Sequence, residues 1–339
     1  MSEKRKIQLT GGSTYIVSLP IIWVRQNGLS AGDTVSLTVK SDRSLTVTAD
    51  SKAEEKVHRS VVEISLSGDL EDDFRTLVSN YLAGCDIMKI VSPAGFTAAE
   101  RKFLRDAARK RLMGIEIVEE SGNELVLQSL LNYQEISIRK SLDSMDRIIS
   151  SMLEDVLRAL EEHDIDLAKD VIQRDDDVDR FYLLIVRQLR AALDNPFMAQ
   201  KIGIAQPKDC LGYRIVSKSM EHVGDHVHRI AANVVEMDCL VESNDEIFGL
   251  GRLAYGLFRD SVEAIQGYDL LFANTIIKNS KKLSNMAALI CIRECGQGSS
   301  KGEHKRNILE SLQRIAEYSA DIAEISLNMN SKELKDMSL

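Results

Sequence analysis

The sequence predicts a multidomain chain: a small β-rich head, an α/β middle, and an all-α body built from duplicated three-helix bundles. Three observations carry this expectation. At 339 residues the chain exceeds the roughly 250–300 residues at which one hydrophobic core stops growing. Apolar residues alternate with polar ones in the first 50 positions but recur at helical spacing from Tyr133 onward, with no proline past Pro207. Positions 105 apart also repeat within that helical stretch: Asp155 over Asp260, Ala159 over Ala264, Asp164 over Asp269, Ala168 over Ala273 and Ile172 over Ile277. Duplication of helical units on this scale is an architectural signal.

Composition limits the function classes. Apolar residues make up 44% of the chain and charged residues 28%, the balance of a folded protein rather than a disordered one. The longest apolar runs, Leu183 to Val186 and Ala287 to Ile292, fall well short of the ~18 residues of a bilayer span, so no membrane insertion is expected. The charged stretch Met1 to Lys6 leads into no apolar secretory core. Five cysteines (Cys85, Cys210, Cys239, Cys291, Cys295) are odd in number and scattered. Cys291 and Cys295 stand one helical turn apart, a poor spacing for a zinc knuckle, so reduced thiols in a cytoplasmic protein are expected. Net charge is −9, yet residues 1–50 carry six Lys/Arg against four acids, which leaves −11 on the remainder. The asymmetry to explain is a small basic head on an acidic body.

In the head, Lys6 to Leu9 and Tyr15 to Leu19 read as strands around a Gly11-Gly12 turn. Pro20 is suited to open a short helix, Ile21 to Gln26, because its missing N–H has no partner there in any case. Gly28 is placed to end that helix in the left-handed conformation. Strands Thr34 to Val39 and Ser44 to Thr48 follow around Asp42-Arg43. So small a unit buries little surface of its own and needs a partner copy. The run Tyr15-Ile-Val-Ser-Leu-Pro20, followed by Asn27-Gly-Leu-Ser-Ala-Gly-Asp33-Thr-Val35, resembles the SpoVT/AbrB family of swapped-hairpin DNA-binding domains. The resemblance covers residues 1–52 and implies a homodimer of interleaved hairpins whose basic side chains meet DNA. The candidates are Lys4, Lys6, Arg25 and Arg43, with Lys6 and Arg25 best placed. The plainer alternative is a unit that only dimerises and carries these as solvated charges.

Residues 56–131 read as β-α-β-α-β-β, and a ferredoxin-like α/β sandwich is expected. The strands are Val61 to Leu66, Ile87 to Val91, Ile115 to Glu119 and Glu124 to Leu130. The helices are Asp72 to Ala83 and Ala98 to Leu112, the second opened by Thr97 with Glu100 at capping-box spacing. This segment contains no Gly-rich phosphate loop and no Ser/His/Asp grouping, so packing or ligand sensing is its default role.

The repeat divides the remainder into one bundle over 133–239 and a second over 244–330. Their helices are expected near 135–162, 165–193, 208–236, 246–268, 270–293 and 303–328. Three pairs of acids lie four residues apart on these helices: Asp175 and Asp179, Glu221 and Asp225, Glu317 and Asp321. Four residues advance a helix by just over one turn, so each pair shares a face. Stacked like charges repel, which favours a bound cation between them, and carboxylate oxygens suit hard or borderline ions such as Mg²⁺, Mn²⁺ or iron. One such spacing in a chain with 28% charged residues is noise; three, two of them at matching points of a repeat, are not. Glu221-His-Val-Gly-Asp-His226, together with Glu317-Tyr-Ser-Ala-Asp-Ile-Ala-Glu324, resembles the repeated motif of the PhoU family over about 200 residues. That resemblance implies two three-helix bundles, metal clusters held by these carboxylates, and a coupling of phosphate transport to gene control.

The second copy departs from the first. The 105-residue offset sets Ser280 under Asp175 and Ser284 under Asp179, with Lys278, Lys281 and Lys282 close by. A four-carboxylate site is therefore expected in the first bundle alone, with Glu317 and Asp321 as a lesser pair. His228, seven residues after Glu221, shares its face and is a further ligand candidate. His222 and His226 fall on an adjacent stripe, where surface or interhelix hydrogen-bonding roles are expected.

The leading reading is a phosphate-responsive transcriptional regulator of phosphate uptake and homeostasis, with a DNA-binding head on a metal-binding body. The runner-up is a dimeric adaptor that binds no DNA and acts on a phosphate-transport ATPase or sensor kinase. The third is a di-metal enzyme of the helical-bundle type, which needs Glu-x-x-His on two helices. The helices of the repeat carry no Glu-x-x-His, and Asp225 with His228 is the nearest approach, so no enzyme is expected.

Overall fold

The computed structural model describes residues 4–39, 43–49, 60–131, 136–237, 245–267, 269–294 and 300–330. The expectations placed on Asp42, Tyr133, Cys239 and Cys295 lie outside the described residues. The chain divides into two compact units, Met1–His58 and Arg59–Leu339.

In the first unit, β1 (Gln8–Thr10) pairs antiparallel with β2 (Thr14–Ile16), and β3 (Val35–Val39) pairs with β4 (Leu45–Ala49). The strand expected over Tyr15 to Leu19 stops at Ile16, because its three-residue partner offers no ladder for Val17 to Leu19. Between the hairpins lies α1 (Ile21–Gln26), with Pro20 as its extended cap. It ends in a Schellman motif: Gly28 has φ 64°, its N–H donates to Arg25, and the Leu29 N–H donates to Val24. Arg43 takes a left-handed φ of 66° at the β3–β4 turn. No described side chain of this unit is buried. Tyr15 is 73% exposed and Val39 75%, and Ile7, Leu9, Ile21, Ile22, Leu37 and Leu45 are exposed with them. A lone copy leaves these apolar groups in water at a cost of about 25 cal/mol per Å².

The second unit opens with β5 (Val61–Ser65), α2 (Leu70–Leu82), β6 (Ile87–Val91), α3 (Ala98–Arg111), β7 (Ile115–Glu120) and β8 (Glu124–Ser129). Asp69 caps α2, and Thr97 with Glu100 closes the expected capping box on α3. The strands form one sheet in the order β5-β6-β8-β7. The α/β character is as the sequence implied, but the topology departs from a ferredoxin-like one. Here β5 and β6 are adjacent and parallel, and β7 and β8 add as an antiparallel hairpin, whereas the ferredoxin-like order is β-α-β-β-α-β. Ile64, Ile90 and Leu125 lie side by side across three strands and are buried with Leu77, Tyr81, Leu104 and Ala108 of the two helices.

Helices α4 (Ile138–Glu162), α5 (Ile165–Asp194) and α7 (Asp209–Glu236) make the first bundle, with a short α6 (Pro196–Lys201) that the sequence reading did not foresee. Helices α8 (Asp245–Ala264), α9 (Leu270–Glu294) and α10 (Ser300–Asn330) make the second. The 105-residue repeat is visible at the helix starts. Asp164 accepts from the Leu167 N–H at 2.9 Å, and Asp269 accepts from the Phe272 N–H at 2.8 Å, the same N-cap in both copies. Ala168 and Ala273, one turn further on, are both fully buried. A single apolar core runs through both bundles, from Ile138 to Ala323.

The α/β layer is joined to α5 by Arg187, which is 1% exposed. Its guanidinium donates to the carbonyls of Tyr81, Gly84 and Cys85 and pairs with Asp86 at 3.3 Å. It thereby ties α5 to the last turn of α2 and to the segment Gly84 to Asp86 that leads into β6.

Candidate functional site

The acidic run Arg174 to Asp179 projects its charges around α5, and each meets a different neighbour. Arg174 pairs with Asp155 of α4 at 2.7 Å and with Asp170 at 2.9 Å. Asp177 pairs with Arg180 at 3.3 Å. Asp175 and Asp179 face α7, where Asp175 Oδ2 lies 2.8 Å from Nδ1 of His228. The close approach of the two helices depends on Gly224. A Cβ there would stand 3.1 Å from Val178 Cγ1 and 3.4 Å from Asp175 Oδ1, tighter than or at the edge of ordinary packing. Mid-helix glycine costs about 1 kcal/mol relative to alanine, so its place in α7 is itself a sign of that approach.

On α7, Glu221 is buried, and both of its oxygens accept from Nζ of Lys218 at 2.6–2.7 Å. Asp225 lies one turn on and keeps only part of its surface in solvent. The carboxylates sense one another across the seam. Lost hydration, then Asp175, Glu221 and Asp225, push Asp179 up to about 7. Lost hydration, then Glu221 and Asp175, raise Asp225 to about 6, against the pull of Lys218 and His228. The hydrogen bond to Asp175 raises His228. Among the described residues Asp179 has no ion-pair partner. The seam is short of positive charge: Lys218 is its internal cation, and the bond to Asp175 shifts His228 toward its protonated form.

Donor atoms of Glu221, His222 and Asp225 all lie within 4.8 Å of one another, a spacing that suits one shared ion. His222 stands with the carboxylates, its Nε2 3.8 Å from Glu221, while His228 is engaged with Asp175. His222 and His226 do reach the neighbouring helix, but through ring contacts with Tyr318 at centroid distances of 4.7 and 5.9 Å rather than hydrogen bonds. Nδ1 of His226 is buried without a partner, and burial depresses that imidazole to about 4. Sequence reasoning missed Lys218 and Gly224. The i,i+3 spacing of Lys218 to Glu221 and the helix-breaking cost of Gly224 were the available signals.

Among its described residues the second bundle offers no such seam. Glu317 is taken up by its own helix, accepting from Gln313 and Arg314 at 2.8 Å each. Asp321 keeps part of its surface in solvent, and partial loss of hydration, then Glu324 and Glu317, raise its pKa. Ser280, at the position of Asp175, is buried and donates to the Ala316 carbonyl at 2.6 Å. Ser284 is half-buried and Lys278, Lys281 and Lys282 are exposed. In the head Lys4, Lys6, Arg25 and Arg43 are all exposed, and among the described residues no ion pair holds any of them.

These features define a class: a duplicated three-helix-bundle protein with an acidic seam between the second and third helices of one copy. Residues 142–234 match the PhoU domain, a stretch that contains all four seam carboxylates. Residues 8–55 match the family described as antidote-toxin recognition MazE, bacterial antitoxin. The chain thus carries a PhoU domain in its helical region and a MazE/AbrB-like domain at its head. PhoU from Pseudomonas aeruginosa, known as a crystal structure, superposes with a TM-score of 0.51 at 17% identity over 57% of this chain and 94% of that one. That share is more than the first bundle alone supplies, and it identifies the fold of the helical body. The phosphate transport system regulatory protein PhoU from Streptococcus pneumoniae gives a TM-score of 0.49 at 18% identity, over 57% of this chain and 92% of that one. No curated protein matches the chain. No helix among the described residues is long and apolar enough to cross a membrane.

Proposed function

We propose that this protein is a phosphate-responsive regulator, not an enzyme, that dimerises and binds DNA through its head and holds a divalent or trivalent metal ion in the seam of its first bundle. The observation that carries this reading is the union in one chain of a MazE-type domain over 8–55 and a PhoU domain over 142–234. Phosphate enters only through the second. Dimerisation is supported by the apolar side chains that the head leaves exposed, and DNA contact by the exposed Lys4, Lys6, Arg25 and Arg43.

The seam fits an ion by donor chemistry: Asp175, Asp179, Glu221 and Asp225 supply hard oxygen donors, and His222 a nitrogen. An ion here would draw Glu221 away from Lys218 and would relieve the repulsion that raises Asp179 and Asp225. Because the ring of His222 leans on Tyr318, its engagement would also be felt by α10 of the second bundle.

The test is the affinity of the full chain for duplex DNA as a function of salt. Phosphate contacts release counterions, so affinity falls steeply with salt. Lys6→Ala and Arg25→Ala should each reduce the log–log slope by about 1, uniformly across sequences. No binding at low salt by a dimeric protein would refute the DNA-binding reading and favour the adaptor that acts on a transport ATPase or sensor kinase.

A further inference from the structure

The second bundle carries a groove between α8 and α9 that neither the head nor the acidic seam explains. It encloses about 320 Å³, with Arg252, Leu253, Gly256 and Leu257 on one wall and Lys282 and Met286 on the other. Leu253 is 52% exposed, and Leu289, one turn beyond Met286, is 67% exposed. The apolar strip therefore continues past the enclosed part.

Two features say what shape of partner fits. Gly249, Leu253, Gly256 and Asp260 share one face of α8 by their spacing. A Cβ added at Gly249 or Gly256 would meet nothing within 4 Å. Glycine in mid-helix costs about 1 kcal/mol, and among the described residues no contact accounts for either of these two. Small residues on a helix face let a second backbone approach closely. From Gly249 to Asp260 the face runs eleven residues, about 16 Å, which is three turns of a docked helix.

Charge indicates the partner's chemistry. Arg252 and Lys282 line the groove and are exposed, Lys278 and Lys281 are exposed on the same helix α9, and among the described residues none of the four has an ion-pair partner. They stand on a body whose net charge is strongly negative. Asp260 closes one end of the groove, which confines an acidic partner to the stretch from Gly249 to Gly256. A second copy of the same groove would bring lysine against lysine, which disfavours self-association here. A bilayer is met by apolar side chains that protrude, whereas this surface is concave with a glycine floor.

We propose that the α8–α9 groove is the docking site for an acidic amphipathic helix of a partner protein, seated with its apolar stripe on Leu253, Met286 and Leu289 and its carboxylates on Arg252 and Lys282. Helix-in-groove recognition of this kind reads anchors at i, i+3, i+4 and i+7. The inference is independent of DNA and of any metal, so it stands or falls apart from the function proposed above.

The test uses the full chain, in chelator, and two labelled 20-residue helical peptides: leucine on one face with glutamate elsewhere, and leucine with lysine elsewhere. Fluorescence anisotropy should show saturable binding of the Leu/Glu peptide, at least tenfold tighter than the Leu/Lys peptide. Gly256→Leu should abolish it by filling the floor. The double reversal Arg252→Glu, Lys282→Glu should invert the preference, so that the Leu/Lys peptide binds the variant better. This rescue separates docking from misfolding. Equal binding of both peptides, no response to the double reversal, or competition by anionic phosphatidylserine vesicles that the reversal removes would each overturn the proposal.

Discussion

The two bundles repeat one pattern, with the same aspartate N-cap on their second helices and the same buried alanines, yet their second and third helices face each other through opposite chemistry. In the first bundle α5 and α7 meet over Gly224 and bring Asp175, Asp179, Glu221 and Asp225 into electrostatic reach. In the second, Ser280 replaces an acid and spends its hydroxyl on a backbone carbonyl, while Glu317 is satisfied by Gln313 and Arg314. Packing tolerated the change because Ser280 remains buried and hydrogen-bonded. Duplication thus preserves the apolar faces, which every copy needs to fold, and leaves the polar seam free to diverge. The lysines of α9 lie on its outer side, so the second copy has also exchanged an acidic inner seam for a basic outer face.

Ion binding should produce the largest separation between the copies. At a concentration of Mn²⁺ about 100 times its dissociation constant, the full chain should gain about 2.7 kcal/mol of stability, read as a rise in Tm over the chelated protein. The double variant Asp175→Asn, Asp179→Asn should lose that gain, while Ser280→Ala should keep it. A gain that survives in the double variant would place the ion elsewhere.

Protonation gives a smaller effect of known sign. Asp179 has a folded-state pKa raised to about 7, so its contribution to stability is present below its unfolded value near 4 and is lost as pH rises through 7. Asp179→Asn removes that loss. In chelator the variant should therefore be more stable than the parent at pH 8, by on the order of 2 kcal/mol after allowance for solvent screening, and equal to it near pH 4. Comparison with the parent at each pH cancels the opposing titration of His226, whose depressed value costs stability in acid. A variant less stable at pH 8 would mean that Asp179 is favourably paired.

The smallest effect concerns helix spacing. Gly249→Ala meets open space and should stabilise the chain by about 1 kcal/mol. Gly224→Ala must press Val178 and Asp175, so it should gain less than this or nothing. Chemical denaturation of the two variants decides the matter; equal gains would show that α5 and α7 have room to spare.

Much of this was legible from the residues. The helix boundaries followed from the period of the apolar residues and, at α3, from the capping box of Thr97 and Glu100, local signals that tertiary structure did not override. The two acid pairs of the first bundle were legible because i,i+4 spacing fixes a shared face. What lay across the seam was not. The pairing of Lys218 with Glu221 competes with several other i,i+3 and i,i+4 choices, and the position of His222 beside Asp225 depends on rotamers set by Tyr318 of another bundle. Sheet order in residues 60–131 was likewise hidden, since β-α-β-α-β-β fixes the sequence of strands but not which of them are neighbours. The short α6 was missed because Pro196 reads as a breaker, although it is equally a first helical residue.

The central claim is that the first bundle holds the metal and the second does not. Metal content per chain should be measured by elemental analysis after loading and desalting, for the parent, Glu221→Gln, Asp175→Asn and Glu317→Gln. The account predicts that Glu221→Gln and Asp175→Asn each lose most of the bound metal, because four carboxylates offset an ion's dehydration and three do so poorly. Glu317→Gln should retain the parent's content. Equal loss from Glu221→Gln and Glu317→Gln would contradict the asymmetry and show that the second bundle binds metal through ligands other than those at Ser280 and Ser284.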